Sequence, residues 1–248
     1  MATSAGKSGG NAGAYERQGD VDYKQFGVYY NNDDSIAWFD ANGGLFDPDS
    51  VSDDEKHDVI SYTGSSYGSI NHTQYTKPWE DIKDSSDSND KYYADKIVNI
   101  HNALSNVTLN HGIEVNRAAN FKIFGKKTMT MAEISKVLDK SNGVVQVDGF
   151  MSASTKPNGV AISGSGLVLH FRIPPSTGAG AYVGNVSLHE SEQEYVVNNN
   201  SVWQFDKSSM HKDSQGRIHI TGYWLGQNAA QTISPTFKKP RVSKGKKK

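Results

Sequence analysis

The 248-residue chain contains no cysteine, which excludes a disulfide framework and thiol chemistry. No apolar run approaches the length needed to cross a bilayer, and the first residues lack the hydrophobic segment of a classical signal peptide. The eight histidines show no HExxH or comparable ligand spacing, so we predict no metal site. We therefore expect a soluble protein without a membrane span or a bound metal.

The net charge of −1 conceals an uneven distribution of charge. Residues 238–248 carry seven positive charges and no acid, so the remainder of the chain is acidic. Such a tail is usually a disordered, solubilising end, but it could also hold nucleic acid or an acidic partner. With a start rich in Gly, Ser and Ala, the sequence predicts a flexible N-terminal arm and lead-in over 1–47, one folded domain over 48–230 and a basic disordered tail over 231–248.

Helix signals come early in the chain and strand signals late. Capping boxes at Ser52/Glu55 and Thr130/Glu133 predict two helix starts, and apolar residues recur at helical spacing between 91 and 107. Aromatic and β-branched residues between turn signals predict strands at 144–147, 166–173, 194–197, 201–205 and 217–224. This order predicts an α+β fold in which an N-terminal helical layer packs on a β-core of two small sheets.

The segment 190–197 places acids at the edge of an apolar run. In an extended segment residues i and i+2 point to the same face, so Glu192 and Glu194 are predicted to lie side by side. Transfer of a carboxylate out of water costs free energy, so acidic residues next to a buried strand are unfavourable for folding unless they serve a function. Taken alone, this segment is also compatible with an edge strand that carries solvated charges.

Two upstream features indicate that Glu192 and Glu194 belong to a functional site. Ser152 and Ser154 alternate after the aromatic Phe150, which sets two hydroxyls on one face of an extended segment. Arg117 lies near the end of a short predicted strand. Each feature is weak alone, but the order Arg, then aromatic-x-Ser-x-Ser, then Glu-x-Glu resembles the Arg-Ser-Glu class of mono-ADP-ribosyltransferases.

Two further segments extend the resemblance. Residues 62–71 look like the "Y-T-x-x-x-Y-x-x-I-N" run in the opening helix of the exoenzyme families, and residues 173–183 look like the "I-P-x-G-x-x-G-A-Y" segment that leads into their target-recognition loop. The resemblance covers about residues 50–226 and implies an NAD cleft between the two sheets.

The resemblance implies an enzyme that cleaves NAD and transfers ADP-ribose to a protein. Glu194 would stabilise the positive charge that grows on the ribose as nicotinamide leaves, as a carboxylate does in glycoside hydrolysis. Ser152 would hold Glu194 and the ribose, and Arg117 would clamp the pyrophosphate with its planar fork. The backbone of Ala118 would bind the nicotinamide amide, and Ser154 is a further predicted cofactor contact.

Three more residues receive predictions from the family pattern. Glu192, in the first acid position, implies an arginine acceptor, because a strongly basic guanidinium needs an anion to orient it. His189 stands where related toxins carry a residue of the target-recognition loop. Arg172 is a candidate second phosphate ligand, and a surface ion pair is the equally weighted alternative.

Two other functions stay open from the sequence. One is a toxin that only hydrolyses NAD, and the other is a catalytically weak binding module, for instance in a viral particle. The predicted partner is a host or target protein that carries an acceptor arginine. The predicted place of action is the cytoplasm of that cell, reached through a virion or a secretion apparatus.

Overall fold

The structure is a computed structural model that describes residues 21–76, 81, 85–159 and 165–227. Within these ranges the helices are α1 Asn32–Asn42, α2 Asp53–Ser61, α3 Tyr67–Thr76, α4 Ser88–Ser105 and α5 Met131–Lys140. The strands are β1 Tyr23–Gln25, β2 Thr108–Leu109, β3 Gly112–Ala119, β4 Val144–Val147, β5 Met151–Ser154, β6 Leu167–Ile173, β7 Ser176–Thr177, β8 Gly180–Tyr182, β9 Glu194–Val197, β10 Ser201–Lys212 and β11 Ile218–Gln227.

The helix starts follow the capping signals in the sequence. Ser52 and Thr130 each cap a helix reciprocally with the glutamate three residues later, as predicted. The helix predicted from residue 91 begins earlier, at Ser88. The reason is that the Asp87 side chain accepts hydrogen bonds from the backbone N–H groups of Asn89 and Asp90.

The folded body begins earlier than residue 48, where the predicted domain starts. Residues 21–47, predicted as part of the arm and lead-in, contain β1 and α1. Phe39 of α1 is fully buried and stacks on Tyr182 of β8 at a centroid distance of 4.6 Å. Burial of these two rings anchors the segment to the sheet. Residues 1–20 and the predicted basic tail lie outside the described residues.

The main sheet is mixed, with the order β4-β10-β11-β6-β3-β5-β9-β8 and with β1 parallel to the start of β3. The two predicted sheets correspond to two parts of this sheet. One part runs from β4 to β3, and the other contains β5, β9 and β8. A single Cα pair, Asn116↔Ser154, joins β3 to β5. The predicted α+β fold with N-terminal helices is confirmed.

The core consists of two clusters. The larger includes Phe171 and Trp203, whose centroids are 4.3 Å apart, together with apolar residues of α1 and α5. The smaller joins α2, α3 and α4 to β8 and β9 through side chains such as Ile70, Ile100 and Val196. The helical layer is thereby fixed to the strand that begins with Glu194.

Helices α2 and α3 are not continuous. Between them, Tyr62–Ser66 form a π-helical connection that is kinked at Gly64, whose φ of −101° and ψ of −128° are not helical. Within the described ranges, no helix is long and apolar enough to cross a membrane.

Candidate active site

A pocket of about 300 Å³ lies where the two parts of the sheet meet. Strands β3 and β5, the kinked connection between α2 and α3, and the segment that leads into β9 form its walls. The predicted site residues that line it are Arg117, Ala118, Ser152, Ser154, His189, Glu192 and Glu194. Residues that are far apart in the sequence are therefore neighbours in space.

Glu194 is the most buried acid of the pocket. It opens β9, pairs with Ser154 of β5, and is 3% exposed. Burial raises the pKa of the Glu194 carboxyl to about 7, and the negative charge of Glu192 adds to this shift, while the nearby hydroxyls of Ser152 and Ser187 oppose it. Such a carboxyl group is held where water stabilises its charge poorly, which is typical of functional sites.

Glu192 reaches the same pocket by a different route from the predicted one. Glu190–Glu192 form a 3₁₀ turn, and Gln193 adopts the left-handed conformation with φ 50° and ψ 57°. The prediction that Glu192 and Glu194 share one face of an extended segment is therefore wrong. The chain is extended only from Glu194 onward, and the tight turn before it brings Glu192 to the pocket.

Arg117 enters the pocket from β3. Its Nη1 donates a hydrogen bond to the backbone carbonyl of Ser152 on β5. Among the described residues, no carboxylate lies within salt-bridge distance of this guanidinium. The positive charge of Arg117 nevertheless acts on Glu194, whose pKa it lowers slightly against the effect of burial.

The two predicted serines behave differently. Ser152 is half-buried and lies close enough to Glu194 to lower its pKa, while the hydroxyl that donates a hydrogen bond to Glu194 is that of Ser187, at 3.4 Å. Ser154 is 1% exposed, and its hydroxyl donates to the backbone carbonyl of Glu192 at 2.5 Å and accepts from the Lys156 N–H at 3.1 Å. The Ser154 hydroxyl is thus committed to the turn that carries Glu192, which does not support its prediction as a cofactor contact.

Ala118 is buried and lines the pocket beside Arg117. The loop after β5 approaches it closely at Gly159. A Cβ at this glycine would lie 2.7 Å from the backbone nitrogen of Ala118 and 3.0 Å from the Cα of Arg117. The φ of Gly159 is +66°, a conformation that favours glycine. Position 159 therefore requires glycine for both steric and conformational reasons.

The loop that carries His189 also lines the pocket. His189 is exposed, and its carbonyl accepts a hydrogen bond from the Glu192 N–H at 2.8 Å. The preceding residue, Leu188, is 63% exposed, and its N–H donates to the Thr63 hydroxyl at 3.1 Å. The loop is therefore tied to the kinked connection, while the side chains of Leu188 and His189 are exposed to solvent.

Arg172 lies outside the pocket. Its Nε donates to Glu114 at 2.8 Å and its Nη1 to the Tyr223 hydroxyl at 3.1 Å. Glu114 and Arg117 are three residues apart on β3, so their side chains point to opposite faces of the sheet. Arg172 therefore forms an ion pair, which was the alternative to a phosphate-binding role. The geometry does not support the prediction that Arg172 is a phosphate ligand.

The sequence analysis treats Tyr62, Tyr67 and Asn71 only as part of an opening helix, yet all three line the pocket. Asn71 donates from Nδ2 to the Tyr62 hydroxyl at 3.1 Å, while its buried Oδ1 has no hydrogen-bond partner among the described residues. The signal was the "Y-T-x-x-x-Y-x-x-I-N" run itself. Its spacing is helical only in part, because the kink at Gly64 turns Tyr67 toward the pocket.

In the part of the chain that the structure describes, no group of three or more acidic or histidine side chains could hold a metal ion. His170 and His219 do lie close together, with Nε2 and Nδ1 2.9 Å apart. Their other nitrogens contact Asn116 and Asp213, so hydrogen bonds within the protein already engage both rings.

A family model described as ADP-ribosyltransferase exoenzyme matches residues 29–225. This match covers most of the chain, and the protein therefore belongs to the ADP-ribosyltransferase exoenzyme family. The prediction made from the motifs is confirmed at this level.

Solved structures agree on the fold. Plx2a, an ADP-ribosyltransferase toxin from Paenibacillus larvae, is 19% identical, with a TM-score of 0.63 over 79% of this chain and 96% of its own. C3stau2 from S. aureus, solved with NAD, is 16% identical, with a TM-score of 0.62 over 82% of this chain and 99% of its own.

The ADP-ribosylating toxin BECa of a binary enterotoxin of C. perfringens, solved with NADH, is also similar. It is 20% identical, with a TM-score of 0.62 over 81% of this chain but only 50% of its own. The present chain thus spans about half the length of that toxin component. Among curated proteins, no sequence matches this chain significantly.

Proposed function

We propose that this protein cleaves NAD and transfers ADP-ribose to an arginine side chain of a target protein, with release of nicotinamide. The observation that carries the proposal is a buried carboxylate, Glu194, in a pocket that also contains an arginine and a second, less buried glutamate. Family membership and the fold shared with C3stau2 and BECa, which were solved with NAD and NADH, support NAD as the substrate.

The walls of the pocket offer complementary groups for a dinucleotide. Arg117 supplies a guanidinium without an ion-pair partner among the described residues, and this group suits the two negative charges of a pyrophosphate. The unpartnered Asn71 Oδ1 can accept a hydrogen bond, and the rings of Tyr62 and Tyr67 offer apolar area. The backbone of Ala118 is the proposed contact for the nicotinamide amide.

The chemistry follows from the bond that breaks. When the bond between the nicotinamide nitrogen and the ribose carbon breaks, its electron pair neutralises the nicotinamide ring and the ribose becomes positively charged. Glu194 would stabilise that charge more strongly in the transition state than in the substrate. A cationic nicotinamide ring beside Glu194 would also favour the ionised carboxylate, against the burial that raises its pKa.

Glu192 is the proposed acceptor-binding residue. It is only half-buried, while Glu194 is 3% exposed. The less buried acid can meet a group that enters from solvent, where it would orient a guanidinium and help to remove its proton as nitrogen attacks the ribose carbon. The exposed side chains of Leu188 and His189 flank this entrance and are the proposed contacts for the target protein.

The test separates NAD cleavage from transfer. We expect Glu192→Gln to retain nicotinamide release but to lose the labelling of agmatine, a small arginine analogue, because an amide is a poor proton acceptor. Glu190→Gln is the matched control, since Glu190 lies in the same 3₁₀ turn but is exposed and outside the pocket lining. The measurement is the ratio of ADP-ribosyl-agmatine formed to nicotinamide released.

Each other outcome of this assay identifies a different function. Equal loss of both products in Glu192→Gln would assign Glu192 to NAD cleavage, and unaltered transfer to agmatine would exclude Glu192 as the acceptor-binding residue. A wild-type protein that releases nicotinamide without labelling any acceptor would be an NAD glycohydrolase. A wild-type protein that does not cleave NAD would be a binding module.

A further inference from the structure

Gln193, the residue between the two acids, lies in a conformation that glutamine seldom adopts. Its φ of 50° and ψ of 57° are left-handed, and its side chain is buried, with 6% exposure. A residue with a Cβ adopts this conformation at a cost in free energy, so the surrounding structure must hold it there. Burial of a polar amide adds a second cost unless its hydrogen bonds are made.

Both ends of the Gln193 amide are hydrogen-bonded. Nε2 donates to the backbone carbonyl of Tyr30 at 2.9 Å, and Oε1 accepts from the Thr155 hydroxyl at 2.9 Å. The backbone adds a third link, because the Thr155 N–H donates to the Gln193 carbonyl at 3.1 Å. Thr155 is fully buried and lies 3.3 Å, hydroxyl to hydroxyl, from Ser35 of α1. Gln193 thus ties the turn to two separate segments through three hydrogen bonds.

The two acids depend on this turn to different degrees. Glu194 belongs to β9, where it pairs with Ser154 and its carbonyl accepts from the Val183 N–H at 2.9 Å. The strand therefore holds Glu194 on both sides without the help of the Gln193 side chain. Glu192 precedes the strand, so its direction depends on the conformation at Gln193 together with the hydrogen bond that the Ser154 hydroxyl donates to the Glu192 carbonyl.

We propose that Gln193 is a positioning residue that keeps Glu192 at the pocket and so decides whether ADP-ribose passes to an arginine or to water. This inference rests on the proposed function. Without the amide anchor the turn would reorient, Glu194 would still promote NAD cleavage, and the acceptor would lose its orienting anion. A small misplacement of a positioned group is enough to lower the rate of a transfer step strongly.

The experiment uses Gln193→Gly and Gln193→Ala in the full chain. In both we expect the ratio of ADP-ribosyl-agmatine to released nicotinamide to fall by roughly tenfold or more, while nicotinamide release itself stays near the wild-type rate. Glycine adopts the left-handed conformation freely, so Gln193→Gly tests the amide anchor without backbone strain. A wild-type ratio in Gln193→Gly overturns the proposal.

Two further sets of variants separate positioning from general damage. Thr155→Val should lower the ratio of ADP-ribosyl-agmatine to nicotinamide, because it removes the hydroxyl that donates to Gln193. Thr155→Ser retains a hydroxyl and should keep this ratio near the wild-type value. Asn142→Ala is the strain control, since Asn142 has a φ of 51° but follows α5, outside the pocket lining. An equal fall in Asn142→Ala, or no difference between the two Thr155 variants, would contradict the proposal.

The failure of this inference can be distinguished from failure of the proposed function. If the wild-type protein releases nicotinamide but does not label agmatine, the arginine acceptor is wrong and the inference falls with it. If the wild type labels agmatine and Glu192→Gln does not, but Gln193→Gly does, only the role of Gln193 is wrong. Thermal melts of each variant confirm that the compared proteins are folded.

Discussion

Charged side chains are paired with one another on one face of strand β3, but they are not paired on the other face, which lines the pocket. On one face, Glu114 binds Arg172. Asn116, which also borders the pocket, binds His170, and His170 contacts His219. Burial alone would raise the pKa of Glu114, but the nearby His170 and the hydrogen bond from Arg172 together outweigh burial and lower it. The polar groups of this face stabilise one another.

On the pocket face the charges are not matched in this way. Burial raises the pKa of Glu194 to about 7, and Arg117 donates to a backbone carbonyl. The buried Oδ1 of Asn71 has no partner among the described residues. A buried carboxyl group with a raised pKa in the same pocket as a guanidinium without an ion-pair partner is typical of a ligand site, whereas the matched face indicates a structural role. The predictions below test that contrast.

The largest expected effect is on catalysis by Glu194. We expect Glu194→Gln to lower both nicotinamide release and agmatine labelling by about 100- to 1000-fold or more, because a neutral amide cannot stabilise a growing positive charge. Initial rates with saturating NAD measure the effect. Turnover near that of the wild type would remove Glu194 from the proposed mechanism.

The second effect compares the two arginines. Arg117→Lys should weaken NAD binding roughly tenfold or more, because a lost charge-assisted hydrogen bond costs about 1.5–3 kcal/mol. Arg172→Lys, on the matched face, should leave NAD affinity unchanged and lower stability by about 1 kcal/mol. Calorimetric titration with NAD and thermal melts measure the two quantities. Equal weakening of NAD binding in both variants would abolish the contrast between the faces.

The third effect is on stability and depends on pH. The folded pKa of Glu194, about 7, lies above the ordinary value of 4.5, so the folded state holds this proton more tightly than the unfolded state does. Stability from this group is therefore present below pH 4.5 and is lost as the pH rises through 7. Glu194→Gln should stabilise the protein by about 1–3 kcal/mol at pH 8 and by much less at pH 4.5. Urea titrations at the two pH values provide the measurement, and a gain that does not depend on pH would exclude this cause.

The smallest effect is expected from removal of residues 238–248. The pocket is lined by residues between 62 and 194, and the tail has no apolar residue except Val242 to anchor it. We expect its deletion to leave nicotinamide release and agmatine labelling unchanged. Any effect should appear as a salt-dependent change in affinity for a macromolecular partner. Loss of activity on the small acceptor would contradict this prediction.

Local signals in the sequence predicted the local structure well. The capping boxes at Ser52 and Thr130 mark helix starts, and the strands predicted at 144–147 and 194–197 have those bounds in the structure. These features depend on contacts between residues three or four apart, or on alternation along a strand, so they are visible without tertiary information. Helix α1 escaped prediction because its signal is a short capping box at Asn31 and its stability comes from packing Phe39 against Tyr182.

The order of motifs in the sequence was enough to indicate the family, and with it the acids, serines and arginine that meet in the pocket. Only the tertiary structure decided how they meet. Arg172 binds Glu114 because the register of β3 and β6 places the two residues side by side. The Ser154 hydroxyl donates its hydrogen bond to the turn that carries Glu192. The left-handed Gln193 is fixed by Tyr30 and Thr155, which are distant in sequence. The order of the motifs along the chain indicates the type of reaction. Long-range hydrogen bonds and burial determine which side chains remain available to a substrate.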